Sequence, residues 1–246
     1  MAELHIFDTP EELTKAAFGL FLQAAAEALR AKEKCSVALS GGGTPLPLYQ
    51  RLAQDPEADR LDWNRIHFFW GDERPVGPDH PDSNYQSAYQ ALLGPRGIPE
   101  EHIHRVQGED DPARAARQYQ QLLGTWFSER PPQFDLILLG MGDDGHTASI
   151  FPQTDLAAGA PGDESSWVEA VWVPKLESWR ISFTPQLINA AARVVFLVSG
   201  GGKAETLREV IQGPYRPAIF PAQLIQPRNG KLTWLIDSAA AAELDP

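Results

Sequence analysis

The sequence predicts an α/β fold: a Rossmann-like, mostly parallel sheet with helices on both faces. Three observations lead there. Short apolar runs at residues 36–39, 65–70, 135–139 and 193–198 have the length and continuity of strands buried on both sides. Segments of helical periodicity, opened by proline or by Ser, Thr or Asp, alternate with them, as parallel strands require. All four runs end in polar turns that contain glycine, and in open α/β sheets ligands sit beyond the carboxyl ends of strands.

With 246 residues the chain is long enough for one large α/β domain or two small ones. No internal repeat, low-complexity linker or charge block marks a boundary, so a single domain over 1–246 is the simplest organisation. Asp and Glu outnumber Lys and Arg by 33 to 21, giving a formal charge of −12. That balance argues against nucleic acid as a partner, but an anionic metabolite needs only two or three local cations. The one cysteine, Cys35, cannot form an intramolecular disulfide or a multi-cysteine metal site, and at a strand start it reads as a buried thiol in a reducing compartment. Glu3, Asp8, Glu11 and Glu12 mark the N-terminus, no basic segment precedes them, and no apolar run approaches membrane-spanning length. The expectation is a cytoplasmic protein without a membrane contact; its oligomeric state stays open, with a monomer allowed.

Residues 4–7 read as a short strand, and Thr9-Pro10-Glu11-Glu12 as a capping box with proline at the first helical position. Leu13, Ala16, Ala17, Leu20, Phe21, Ala24, Ala28 and Leu29 then recur at helical spacing and form a face that packs on a sheet. The strand at 36–39 runs into Ser40-Gly41-Gly42-Gly43-Thr44-Pro45, where a helix begins. Gly41, Gly42, Gly43 and Thr44 can gather several N–H donors and a hydroxyl around an anion at that helix start. The loop lacks the ending of a nucleotide P-loop and the spacing of a dinucleotide fingerprint, so neither ATP nor NAD is implied; a tight strand-to-helix turn is the plainer alternative.

The strand at 65–70 ends in Gly71-Asp72-Glu73-Arg74, which reads either as a solvated loop with internal ion pairs or as the wall of a pocket. Asp82 or Ser83 caps a helix to about Leu93. His102 and His104 alternate as on a strand; without a third ligand nearby they are surface or structural, and no metal is expected. Asp111 caps a helix from Pro112 to about Phe127 with an apolar stripe of Ala115, Ala116, Tyr119, Leu122, Leu123 and Trp126. Residues 157–166 read as a surface loop, 167–173 as a strand, and 179–184 as another strand leading through Pro185 into a short helix. After the strand at 193–198, Ser199-Gly200-Gly201-Gly202-Lys203 makes a second glycine-rich turn before a helix from about Ala204 to Ile211. A lysine opposes the field at a helix N-terminus, which hints at a bound anion; a lysine facing water is the alternative. Asp237 or Ser238 is placed to cap a short final helix of alanines.

The most informative stretch is 134–152, FDLILLGMGDDGHTASIFP. Its strand meets Gly140, Gly142 and Gly145, with Asp143, Asp144 and His146 set among them, so a carboxylate and an imidazole stand at a strand end. The alternative is that Asp144 caps a helix starting near Thr147 while His146 bonds backbone.

GMGDDGHTASIFP resembles the signature GMGxDGHTASLFP of the 6-phosphogluconolactonases. GDERPVGPDHPDSNY is similar to that family's GDERxVPxxHxxSNY, with Gly77 where proline is usual, and Arg180-Ile181-Ser182-Phe183-Thr184 is similar to its R-[VI]-[ST]-[LF]-T. The resemblance implies a fold like that of glucosamine-6-phosphate and ribose-5-phosphate isomerases. It also implies hydrolysis of 6-phosphoglucono-1,5-lactone to 6-phosphogluconate in the oxidative pentose phosphate pathway. A lactone is an activated ester, so a positioned base can suffice without a metal or another cofactor. His146 is the candidate base, since imidazole ordinarily titrates near neutrality, and Asp144 its orienting partner. Nearby glycine N–H groups are candidates for the oxyanion. Arg74, Arg180 and Lys203, with Gly41 to Thr44, are the expected phosphate anchors, and Asp72 is a candidate for sugar hydroxyls. A surface arginine remains the plain reading of Arg180.

Two other readings differ in class. Glucosamine-6-phosphate deaminases share a glycine loop and a G-x-DGH turn, but typically continue DGH into IAFNEP and carry Tyr where this chain has Arg74. A non-catalytic sugar-phosphate sensor would not need both Asp144 and His146.

Overall fold

The computed structural model describes residues 2–128, 131–158 and 166–245. The apolar runs become strands β1 (Glu3–Phe7), β2 (Cys35–Leu39), β3 (Ile66–Trp70), β5 (Leu136–Gly140), β8 (Arg193–Val198) and β9 (Lys231–Asp237) of one sheet. Its order is β1-β9-β8-β5-β2-β3, and every neighbouring pair is parallel. Every residue of β2 and β3 is buried, so both faces of the sheet are covered there. β1, by contrast, is an edge strand that exposes Leu4 and Ile6.

Helices α1 (Pro10–Ala31), α2 (Leu46–Gln54), α3 (Asn84–Ala88), α4 (Pro112–Trp126), α5 (Pro185–Asn189) and α6 (Ala204–Ile211) lie in the crossovers. Their starts follow local chemistry: Thr9, Ser83, Asp111 and Thr184 each accept a backbone N–H of the first turn, and proline opens α1, α4 and α5. α1 buries Leu13, Ala17, Phe18, Phe21, Ala24, Ala25 and Ala28 against the sheet, nearly the face its periodicity predicts. Cys35 is a buried thiol. Among the described residues no helix is long and apolar enough to cross a membrane.

The structure adds a second sheet. β4 (Asp72–Glu73), β7 (Ser178–Phe183) and β6 (Val168–Val173) pair antiparallel in the order β4-β7-β6. Towards the end of β6, Val171 and Val173 are buried while Trp172 between them is exposed, which suits a strand with one wet face there. Pairing with β4 draws Asp72 and Glu73 inward, so the solvated-loop reading of 72–74 is wrong for these two. Glu73 is 2% exposed, and its carboxylate accepts the N–H groups of Arg74, Asn84 and Tyr85 and the Ser83 hydroxyl. Burial pushes that carboxyl up and these N–H donors oppose the shift.

One alternative and two local expectations are corrected. No helix starts near Thr147: Thr147 and Ile150 form a bridge, and Ala148 sits at φ 46, outside helical space. The final alanines form turns, because the Asp237 carboxylate caps Ala240 but only isolated hydrogen bonds follow, too few to nucleate a helix. His102 ends a 3₁₀ turn, and both it and His104 meet a third imidazole, His67 of β3, which local spacing could not reveal. Much of the expected 157–166 loop, residues 159–165, lies outside the described residues.

Candidate active site

The turns after β2, β3, β5 and β8 meet at the carboxyl edge of the sheet, around a cleft of about 510 Å³. Gly41, Gly42, Gly43, Thr44, Asp72, Arg74, His146, Arg180 and Lys203 all line it. Asp144 stands behind the imidazole, its Oδ1 2.5 Å from His146 Nδ1 and 3.2 Å from the His146 N–H. Nε2 is the nitrogen left for chemistry.

The turn that presents this pair is built by its own residues. Gly145 takes φ 76, and its N–H donates to Gly142 O while Gly142 donates to His146 O. A Cβ on Gly142 would lie 2.0 Å from His146 Nδ1, so the imidazole occupies the space a side chain would take. The Thr147 hydroxyl ties the turn to Gly140 O at 2.8 Å, and the Phe151 ring stacks on the imidazole with centroids 3.9 Å apart. Ser149 Oγ donates to Asp72 Oδ2 at 2.6 Å, joining the turn to β4. Asp72 therefore lines the cleft with both carboxylate oxygens engaged, the other by Asn84 Nδ2 at 3.2 Å. The N–H groups of Gly142 and Gly145 are committed within the turn, so neither is available to an oxyanion. Among the described residues, those of Gly41, Gly42, Gly43 and Thr44 have no partner.

Three of the cations that line the cleft bond only neutral oxygens among the described residues. Arg74 donates to Asp82 O, Lys203 to Met141 O, and Arg180 to Ser178 Oγ at 3.0 Å and Trp179 O at 2.7 Å. Burial pushes the Lys203 ammonium down, opposed by Asp143 and Asp144; burial and then the charge of Arg74 push Arg180 down. Cations held together at this cost on an acidic protein make a site for an anion with several oxygens.

Other residues were missed by sequence reasoning. Lys175, on the turn after β6, puts its ammonium 2.8 Å from Asp144 Oδ2. Burial alone would raise the Asp144 carboxyl, but hydrogen bonds from His146 and Lys175 outweigh it and hold the group well below the usual carboxylate range. Asn84 also lines the cleft, as does Ser40 of the glycine loop, and among the described residues Asn84 Oδ1 and Ser40 Oγ are buried without a partner. Asn84 packs where a Cβ on Gly41 would be, 1.7 Å from its Oδ1. The serine-asparagine-tyrosine stretch at 83–85 was the available signal for Asn84; nothing local marks Lys175.

The chain matches the family model described as glucosamine-6-phosphate isomerases/6-phosphogluconolactonase over residues 8–234. It is 45% identical over 221 residues to a 6-phosphogluconolactonase of Nostoc sp., with 88% of each chain covered. To one of Synechocystis sp. it is 44% identical over 224 residues, with 89% of each covered. The solved structure of the 6-phosphogluconolactonase from Trypanosoma brucei superposes with a TM-score of 0.88 at 27% identity, covering 100% of this chain and 99% of that one. A match across so much of the length, on the same α/β architecture, means that the chain belongs to the glucosamine-6-phosphate isomerase/6-phosphogluconolactonase family.

Proposed function

We propose that this protein is a 6-phosphogluconolactonase, hydrolysing 6-phospho-D-glucono-1,5-lactone to 6-phospho-D-gluconate, the second step of the oxidative pentose phosphate pathway. In this reading His146 Nε2 takes a proton from water as the water oxygen attacks the lactone carbonyl carbon. The tetrahedral intermediate then collapses, the carbon to ring-oxygen bond breaks, and the imidazolium returns its proton to the departing oxygen. Asp144 holds the proton on Nδ1 and stabilises the imidazolium while it lasts. Arg74, Arg180, Lys203 and the free N–H groups of residues 41–44 take the phosphate, and Ser40 and Asn84 have buried oxygens to offer the sugar. Asp72, which lines the cleft, is a strut through Ser149 and Asn84 and keeps its place as a candidate for sugar hydroxyls.

The observation that carries this reading is the pairing, in one cleft, of a carboxylate-held imidazole with three cations bonded to neutral oxygens. A single-domain, cytoplasmic enzyme is part of the same proposal, supported by a main apolar core that draws on every helix and by the lone buried cysteine.

The test is hydrolysis of freshly generated lactone above its uncatalysed background. His146→Ala should lower turnover by roughly 10²–10⁴-fold with KM little changed, the range of a lost general base. Wild-type turnover in that variant would remove His146 as base. Activity lost to a chelator would overturn the metal-free part of the mechanism.

A further inference from the structure

The Asp144 carboxylate is shared. Oδ1 faces His146 Nδ1 at 2.5 Å, and Oδ2 accepts from Lys175 Nζ at 2.8 Å. Lys175 also lies 3.6 Å from Asp143 Oδ1, its side chain is 58% exposed, and it lines the same cleft as Arg74, Arg180 and Lys203. It rides on the turn Pro174–Leu176 that joins β6 to β7, the strand bearing Arg180, with Val171 and Arg180 in register. One hairpin thus carries a phosphate-side cation and the cation that holds the orienting carboxylate.

Resting on the reading of His146 as base, we propose that Lys175 is a substrate-responsive positioning residue that links phosphate binding to the strength of the base. In the empty site its ammonium draws on Asp144 and withholds part of that charge from the imidazole. A phosphoester dianion entering the cleft competes for the ammonium, and Asp144 then bears fully on His146. The exchange is open to Lys175 because its side chain is 58% exposed and holds Asp144 through one oxygen, whereas a phosphate dianion offers three acceptor oxygens and more charge. The charged groups facing the pair are Asp143 and Lys175 on one side, and Lys203, Arg180, Arg74 and Asp72 across the cleft. Of these, Lys175 alone forms an ion pair with Asp144 among the described residues. The consequence is that the phosphate raises turnover of its own lactone, beyond holding it in place.

The experiment compares wild type, Lys175→Gln and Lys175→Arg in the pH dependence of kcat/KM and of kcat on the phosphorylated lactone. The first profile reports the free enzyme and the second the complex. The substrate phosphate titrates in the same range but is common to all three proteins, so only differences between them count. In wild type the acidic limb of kcat should lie above that of kcat/KM. In Lys175→Gln a cation beside the pair is gone, the imidazolium is easier to keep, and the kcat/KM limb should rise by about half a pH unit, closing the gap. Lys175→Arg should keep the gap. Coincident kcat/KM limbs in wild type and Lys175→Gln, or a higher KM with the gap intact, would overturn the proposal and leave Lys175 an ordinary surface or phosphate-binding lysine. His146→Ala, run alongside, separates the two failures: if it stays active the base assignment is at fault, and if it is dead while the limbs coincide, only the role of Lys175 is.

Discussion

Gly142 shows how much of the chemistry depends on an atom that is missing. A Cβ there would stand 2.0 Å from His146 Nδ1 and 2.8 Å from Asp144 Oδ1, both inside any tolerable contact. Its φ is not positive, so Gly142→Ala strains no backbone angle and tests space alone. The imidazole would have to swing off the carboxylate and out of its stack on Phe151. A displacement of about 1 Å at a catalytic group can cost roughly 10²-fold, so turnover of Gly142→Ala should fall by that order while far-UV circular dichroism is unchanged. Wild-type kcat in this variant would mean that the contact does not fix the ring. This much was legible in the sequence, because Gly142, Asp144, Gly145 and His146 are neighbours and their geometry is set within one turn. Asp72 was legible as a pocket residue but not as a strut, because its partners Ser149 and Asn84 come from distant parts of the chain.

Elements differ in the same way. The parallel strands and most helix starts follow from apolar runs and caps, which are local. The three-stranded sheet β4-β7-β6 does not: Asp72 and Glu73 pair with Ser182 and Ile181, about a hundred residues away, and two residues carry no strand pattern. Lys175 was missed for that reason, since only the hairpin brings it to Asp144. Helix α6 shows the opposite case, a local oddity with a readable meaning. Lys203 is its N-cap, where a cation opposes the helix dipole, and burial pushes its ammonium down. Such a placement costs stability that binding of an anion recovers. Lys203→Ser removes the buried cation from the start of α6, so its thermal midpoint should match or exceed wild type in phosphate-free buffer. KM for the phosphorylated lactone should rise at least about tenfold, as for the loss of a charge-assisted bond, with KM for the unphosphorylated lactone unmoved. A lower midpoint with an unchanged KM would make Lys203 a structural residue and remove it from the phosphate site.

At the scale of the whole molecule, two clusters of charge-bearing groups are placed differently. The cleft gathers cations on a chain of net charge −12, whereas His67, His102 and His104 cluster at the β3 edge of the sheet, with Trp126 of α4 against His67 and His104. His67 Nδ1 and His104 Nε2 are 3.0 Å apart, sharing a proton between two neutral rings. Burial first, then the other imidazoles and Lys34, lower His67 from 6.5 to about 4; burial, His102 and Lys34 do the same to His104. Between about 6.5 and about 4 the unfolded chain binds protons that the folded one does not, so stability is full above 6.5 and declines as pH falls towards 4. Glu73, raised by burial, acts in the opposite sense and is common to any variant of the histidines. His67→Phe combined with His104→Phe removes both partners of the shared bond, leaving neither unsatisfied, and replaces ring by ring. Urea unfolding followed from pH 7 to 5 should show a clear loss of stability in wild type and a flatter profile in the double variant, with its acid-unfolding midpoint lower by roughly half a pH unit. Parallel profiles would mean that these rings are hydrated enough to protonate in the folded state. Acid sensitivity would then be confined to pH below about 5, where the carboxylates act, and among the described residues Asp144, held by His146 and Lys175, is lowered furthest.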